Sequence, residues 1–227
     1  MVTGEVKVND EKLAVARRAA QAVIDSGIEV LGVGSGTTVE IFIEELSKMN
    51  FKGYTVPTSI DTIMTLKKHG FKVLDLLSVD EVEMSVDGAD EVSEDLTLIK
   101  GGGAAMLREK VLAHISKYRL YIVDSSKFVK KPCSRGVPIP IEVVPYALSA
   151  VTKSLTEMGI RWVMRKAKGK LGPIISDNGN IVIDLNCEDA LDKIETVERL
   201  PGVAVSGLFP RDLVDEVLIG SEGRLRR

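Results

Sequence analysis

Apolar positions recur along the chain in two registers, and changes of register mark the elements. Between residues 10 and 25, Leu13, Ala16, Ala20 and Val23 fall at helical spacing and predict a helix. Residues 29–33 form a short apolar run that predicts a strand, and Ser35-Gly36-Thr37-Thr38 then opens a helix through Lys48. Tyr54–Pro57 predicts a strand, and Ser59 or Asp61 caps a helix that stops at His69-Gly70. Residues 71–76, 83–86 and 96–99 read as strands, about 104–116 as a helix and 119–123 as a buried strand. Such alternation predicts a doubly wound, mostly parallel, Rossmann-like α/β sheet covered on both faces.

After Lys130-Lys131-Pro132 the pattern changes. Strands at 141–144, 161–165, 174–176, 181–186 and 203–209 flank helices at 146–158 and 188–199. Asp177-Asn178-Gly179-Asn180 reads as a hairpin turn, with Asn-Gly the diagnostic pair. The order β-α-β-β-α-β is that of a small ferredoxin-like α+β unit, and residues 214–219 return to the first sheet. The expected division is 1–131 plus 208–227 as an α/β body and 132–207 as the small unit. Ligand sites in such folds lie at strand C-termini and at domain junctions.

Composition narrows the function. The 227 residues are 44% hydrophobic and 28% charged with a net charge of −3, an ordinary globular balance without the basic face of a nucleic-acid binder. No apolar run reaches the ~18 residues of a membrane span, and the polar N-terminus does not read as a signal peptide. Cys133 and Cys187 stand isolated, with no C-x-x-C and no disulfide framework, which predicts a reducing cytoplasm, and Cys133, with no His or Asn partner evident, reads as inert. Gln21 is the only glutamine amid plentiful charge, a composition that leans towards heat adaptation.

Three stretches carry candidate chemistry. In Val30–Thr38, VLGVGSGTT, glycines allow a tight turn between strand and helix, and free N–H groups at a helix start attract an anion. A dinucleotide fingerprint counted from Gly32 would need glycine at Thr37, and no acid lies near Tyr54 for a ribose hydroxyl. Nor is it a Walker loop, because Thr37 stands where lysine should follow Gly36. Hydroxyls at Ser35, Thr37 and Thr38 suit a small phosphate monoester, although a plain βα turn would look the same. In Asp87-Gly88-Ala89-Asp90-Glu91, two aspartates three apart can converge and raise one pKa. Metal ligation, an Asx turn or a solvated acidic loop are the competing readings. His69 and His114 are the only histidines and lie near no second strong ligand, so no transition metal is expected, while a carboxylate-bound Mg²⁺ stays open. In the third stretch, Lys100 precedes Gly101-Gly102-Gly103 and a helix, offering a positive charge and backbone donors to an oxyanion. Leu107, Val111 and Ile115 mark the expected buried face of that helix. Glu109 falls off that face, has no ion partner at helical spacing, and is as readily a surface residue as a proton carrier.

Together these parts are a kit for moving a proton beside a carbonyl. VGSGTT, DGADE, IKGGGAAMLREK and DSSK, with the later IEVVPYA, SDNGNIVID and PGVAVSGLF, resemble the type A ribose-5-phosphate isomerase family, in the family's order from about Glu11 to Gly220. The resemblance implies interconversion of ribose 5-phosphate and ribulose 5-phosphate through an enediolate, with no metal or organic cofactor. It implies Glu109 as the base, Lys100 and Gly101–Gly103 as enediolate donors, Asp87 in ring opening and Asp90 on a sugar hydroxyl. It further implies Ser35, Gly36, Thr37, Thr38, Gly88, Ala89, Lys127 and Lys12 around the substrate. The expected partners are a small sugar phosphate and further copies of the chain, as homodimer or homotetramer, with neither nucleic acid nor membrane. A CoA transferase or sugar-phosphate deaminase on a related fold, and a non-catalytic sugar-phosphate sensor, are the alternatives. FVKKPCSRG, residues 128–136, has no assigned role.

Overall fold

The computed structural model describes residues 2–169 and 171–227, with side chains from residue 9 onward. Its main sheet has seven strands in the spatial order Gly223–Arg226, Glu216–Ile219, Ser116–Val123, Val82–Asp87, Val30–Val33, Tyr54–Pro57 and Lys72–Val73. All neighbours are parallel except the terminal pair Glu216–Ile219 and Gly223–Arg226. The chain therefore winds outwards from Val30–Val33, returns to Val82–Asp87 on its other side, and winds outwards again. Between those two strands the winding direction reverses, which opens a crevice at their carboxyl ends.

Helices Val2–Ser26, Thr37–Lys48 and Ile60–Lys68 share one core, built from Val15, Ala16, Ala20, Phe42, Ile43 and Leu66 against Leu31, Val33 and Val86. The third of these starts as expected at Ser59, whose hydroxyl accepts the Thr62 N–H at 3.0 Å. Helix Met106–Ile115 lies outside that core and splits between two others: Leu112 packs with Val56 and Val82, and Met106 and Ala113 join the cluster of Tyr121 and Phe209. Its buried residues are Met106, Glu109, Leu112 and Ala113, while Val111 is 42% exposed. The expected stripe through Leu107, Val111 and Ile115 is thus displaced by about one position, and Glu109 belongs to the buried side. Hydrophobic periodicity misplaced it because a buried stripe containing a carboxylate looks polar.

A second sheet, antiparallel throughout, runs Trp162–Met164, Ile181–Leu185, Ile139–Val143, Val203–Ser206. Its chain order 2-3-1-4 is the split βαβ arrangement. Ile139, Ile141, Val143, Ile183 and Leu185 face helix Leu148–Glu157 and the helical turns at Cys187–Ala190 and Ile194–Glu198. Val182 and Val205 face Tyr121 and Phe209 in a different cluster. Three expectations fail locally. Residues 174–176 form no strand, and Ile175 makes only an isolated bridge to Ile181. The helix expected over 188–199 is interrupted by a 3₁₀ turn at Leu191–Lys193. The strand expected over 203–209 breaks at Gly207, where a Cβ would meet the Lys100 carbonyl oxygen at 2.2 Å. Beyond the break, Leu208–Phe209 enters a third sheet of short strands with Leu98–Ile99, Glu91–Ser93 and Phe128–Val129.

The cysteines are also not isolated in space. Cys133 and Cys187 form a disulfide across 54 residues, with Cα atoms 5.5 Å apart. One cysteine precedes the small sheet and the other opens a helical turn, so their pairing is non-local and the spacing carried no signal. The argument from free thiols to a reducing compartment falls with it. No helix among the described residues is long and apolar enough to cross a membrane.

Candidate active site

The crevice is built from two loops. After Val30–Val33 the chain turns at Gly34, whose N–H donates to Val86 O at 2.9 Å and whose carbonyl accepts the Thr62 hydroxyl at 2.8 Å. Gly36 then caps helix Thr37–Lys48 at φ 100°, a conformation that favours glycine. Opposite, Val82–Asp87 ends in an aspartate that sits hard against this turn. A Cβ on Gly34 would fall 1.8 Å from Asp87 Oδ1, so only glycine fits there.

Three ionisable side chains converge beneath the crevice. Lys100 Nζ lies 3.0 Å from Asp87 Oδ2 and 3.3 Å from Glu109 Oε2, and donates to Gly88 O. Asp87 Oδ1 accepts the Gly88 N–H at 2.7 Å and the Ser35 N–H at 3.2 Å, and Glu109 Oε1 accepts the Ser35 hydroxyl at 2.7 Å. Glu109 Oε2 accepts no hydrogen bond, although it is buried. All three residues are at most 5% exposed. Two carboxylates and one ammonium leave a net negative charge out of water, which favours one further proton. Burial first, and then the Asp87 carboxylate, raises Glu109 from 4.5 to about 7, against the pull of Lys100 and Ser35. Burial likewise pushes Asp87 up, opposed by Lys100 and the two N–H groups. For Lys100 burial acts downward, but Asp87 and Glu109 outweigh it and hold the ammonium charged. The carboxylates that interact are therefore Asp87 and Glu109. Asp90, the partner expected for Asp87, is turned aside and accepts the Gly102 N–H at 2.7 Å.

Above this centre is a cavity of about 140 Å³. Its wall brings together Lys12, Ser35, Gly36, Thr37, Thr38, Gly88, Ala89, Asp90, Lys100, Gly101, Gly102, Gly103, Glu109 and Lys127. Every residue singled out in the sequence is present except Asp87, which lies under the wall and reaches it through Lys100. Lys12 Nζ donates to Thr37 Oγ1 at 2.9 Å, and Glu11 Oε2 accepts from the N–H and hydroxyl of Ser125. That contact sets the first helix beside the turn Ser125–Lys127, so the two lysines gather at the helix N-terminus. Larger surface hollows of about 470 and 530 Å³ lie away from this centre.

Several supporting residues carried no signal in the sequence. Glu91, 1% exposed, accepts the N–H groups of Cys133 and Arg135, and Arg135 donates to the Asp90 carbonyl. The unassigned 128–136 segment thus braces the aspartate loop. Arg165 reaches the Gly101 and Gly102 carbonyls, and Gly207 O accepts the Lys100 N–H at 2.8 Å. These partners come from distant segments, so local pattern could not pair them. Helix Met106–Ile115 is moored on both sides of Glu109: Arg108 donates to Asn178 Oδ1 at 2.8 Å, and Lys110 pairs with Glu198 at 3.0 Å. Asn178 and Asn180, with Ser176, in turn satisfy the fully buried Glu142.

Fold and site define a doubly wound α/β protein with a buried acid–base centre at the switch point of its parallel sheet, next to an anion-ready helix N-terminus. The profile of the family described as Ribose 5-phosphate isomerase A (phosphoriboisomerase A) matches residues 54–224. Ribose-5-phosphate isomerase A of Archaeoglobus fulgidus is 38% identical over 220 residues, 93% of this chain and 96% of that protein. The solved ribose 5-phosphate isomerase A of Methanocaldococcus jannaschii superposes with a TM-score of 0.87 at 37% identity, covering 96% of this chain and 99% of that one. A D-ribose-5-phosphate isomerase solved in complex with phospho-erythronic acid also gives 0.87, at 33% identity over 97% and 99% of the two chains. The chain belongs to the ribose 5-phosphate isomerase A family.

Proposed function

We propose that this chain interconverts D-ribose 5-phosphate and D-ribulose 5-phosphate through an enediolate held in the 140 Å³ cavity. The observation that carries this reading is Glu109, buried beside Asp87 and Lys100 at the cavity wall, with its carboxylate raised to about 7 and its Oε2 held only by the 3.3 Å ion pair to Lys100. A base that must take and return the same proton works best with a pKa near the working pH. In the open-chain aldose the C2–H bond breaks to Glu109, its electrons form the C1–C2 double bond, and the C1 carbonyl oxygen takes the displaced pair. A proton passes from O2 to O1, and Glu109 returns its own to C1, leaving the ketone at C2.

Lys100 and the glycine N–H groups oppose the negative charge on O1 and O2. Asp90 takes a sugar hydroxyl. Asp87 acts through Lys100, so its part in ring opening passes through that ammonium, and its charge helps to raise Glu109. Ser35 to Thr38, the helix N-terminus, Lys12 and Lys127 receive the phosphate. We further propose the division into 1–131 with 208–227 and a small unit at 132–207, a homodimer or homotetramer, and a cytoplasmic setting. Intracellular proteins of hyperthermophiles are a known exception to the rarity of cytoplasmic disulfides.

An isomerase assay on ribose 5-phosphate, with and without EDTA, tests the reading. Turnover that persists in EDTA and falls about 10²–10⁴-fold in Glu109→Gln is expected. Full activity of the variant removes Glu109 as the base, and loss of wild-type turnover in EDTA removes the metal-free route.

A further inference from the structure

Arg165 follows strand Trp162–Met164 of the small sheet, and its main chain is pinned, with its N–H donating to Val182 O at 3.0 Å and its carbonyl accepting the Ile174 N–H at 2.8 Å. Its guanidinium is oriented by Asp184, which accepts from Nε at 2.8 Å and from Nη2 at 2.5 Å. That fork leaves Nη1 aimed at the glycine turn, where it donates to Gly101 O at 2.7 Å and to Gly102 O at 3.1 Å.

Gly101 O also accepts the Ala104 N–H at 3.0 Å across the turn, and sharing Nη1 with Gly102 O adds a second hold on the first peptide plane and ties the second to it. Among the described residues no peptide is cis, and in a trans peptide C=O and N–H point in opposite directions. The Gly101–Gly102 peptide thus sends its N–H away from Arg165, to Asp90 Oδ2 at 2.7 Å. The Gly102–Gly103 peptide gives its carbonyl to the same donor, so its N–H also points away from Arg165, and Gly103 lines the cavity. Side chains would obstruct this arrangement, since a Cβ on Gly102 would come within 2.7 Å of Asp90. A cation on the carbonyl side also polarises each peptide and strengthens its N–H as a donor.

We infer that Arg165 is a positioning residue for the reaction, clamping the Gly101 and Gly102 carbonyls so that the N–H groups on the other side are preset for Asp90 and for the developing enediolate. This rests on the isomerase reading for the identity of the oxyanion, while the clamp itself can be tested without substrate. Arg165→Met removes charge and fork at similar length, Arg165→Lys keeps only the charge, and Asp184→Asn loosens the fork with Arg165 in place.

In folded Arg165→Met, kcat is expected to fall about 10²-fold with KM changed less than about threefold, the pattern of a contact made in the transition state. Affinity for phospho-erythronic acid, by calorimetry, falls in parallel, while affinity for inorganic phosphate is held. Arg165→Lys recovers less than about a tenth of the wild-type kcat, because a point charge cannot serve both carbonyls and Asp184 at once. Amide hydrogen exchange at 101–104, measured on the protein alone, speeds up in the Met variant. A kcat within about threefold of wild type, a loss of phosphate affinity as large as that for the acid, or unchanged exchange overturns the inference. Should Arg165→Met not fold, Asp184→Asn is held to the same readouts. If the wild type fails to isomerise ribose 5-phosphate, the reaction is wrong, and the exchange measurement still decides the clamp.

Discussion

Replacing Glu109 by Gln should change how stability depends on pH, and not only how fast the protein turns over. A carboxyl whose folded pKa lies above its unfolded one holds its proton more tightly in the native state. Its stabilising contribution is complete below the unfolded value and is lost as pH rises through the folded value. For Glu109 that window runs from 4.5 to about 7. The difference of about 2.5, at 1.36 kcal/mol each, is worth ~3 kcal/mol, of which ~2–3 falls between pH 5 and 8. Wild type surrenders this as pH rises, and a glutamine cannot. The Gln carbonyl can still accept from Ser35, and its amide facing Lys100 adds a penalty that does not vary with pH over this range. The unfolding free energy of Glu109→Gln relative to wild type should therefore move by ~2–3 kcal/mol in the variant's favour between pH 5 and pH 8, about 5–10 °C in relative Tm for a chain of this size. Urea titrations at a series of pH values, at one protein concentration in view of the proposed assembly, read it directly. In wild type, kcat/KM should rise through the same pH, near 7, as Glu109 becomes the free base. Parallel stability curves for the two proteins between pH 5 and 8 would refute a native-state proton on Glu109.

Two further substitutions probe packing. Gly34→Ala sets a methyl 1.8 Å from Asp87 Oδ1, and Asp87 is held by Lys100 and two N–H groups; a loss of ~1–3 kcal/mol together with most of the activity is expected, and near-normal turnover would contradict the close approach. Opening the Cys133–Cys187 link, by Cys133→Ser or by reductant, releases a 54-residue loop and should lower stability by ~4 kcal/mol, whereas an unmoved urea midpoint would show that the loop is restrained by other means.

What could be read along the chain was what neighbouring residues decide together. Ser59 announces its helix because cap and helix are adjacent, and GSGTT announces a turn and a helix start for the same reason. The chemistry of Lys100 and Asp87 was legible as type and place, since both sit at strand ends. Their mutual arrangement was not. Asp87 faces Glu109, 22 positions on, in preference to Asp90, three positions on, because the sheet and not the turn brings the groups together. Glu109 illustrates the deeper limit. Periodicity assumes that charge faces water, so a helix that buries a carboxylate to raise its pKa is displaced in the reading by one position. The disulfide, the break at Gly207 and the strand Phe128–Val129 escaped for a related reason, since each is defined by a partner far along the chain.

The break at Gly207 has a consequence for how freely this architecture can be recombined. The chain leaves the small sheet there, touches the Lys100 backbone, and enters the third sheet beside Leu98–Ile99. Arg108, Lys110 and Gly101 are tied into the same 132–207 stretch through Asn178, Glu198 and Arg165. A segment anchored on both sides of the proposed base and behind the glycine turn is not an interchangeable module. A graft of 132–207 from a relative would inherit function only if its equivalents of these anchors were carried across with it.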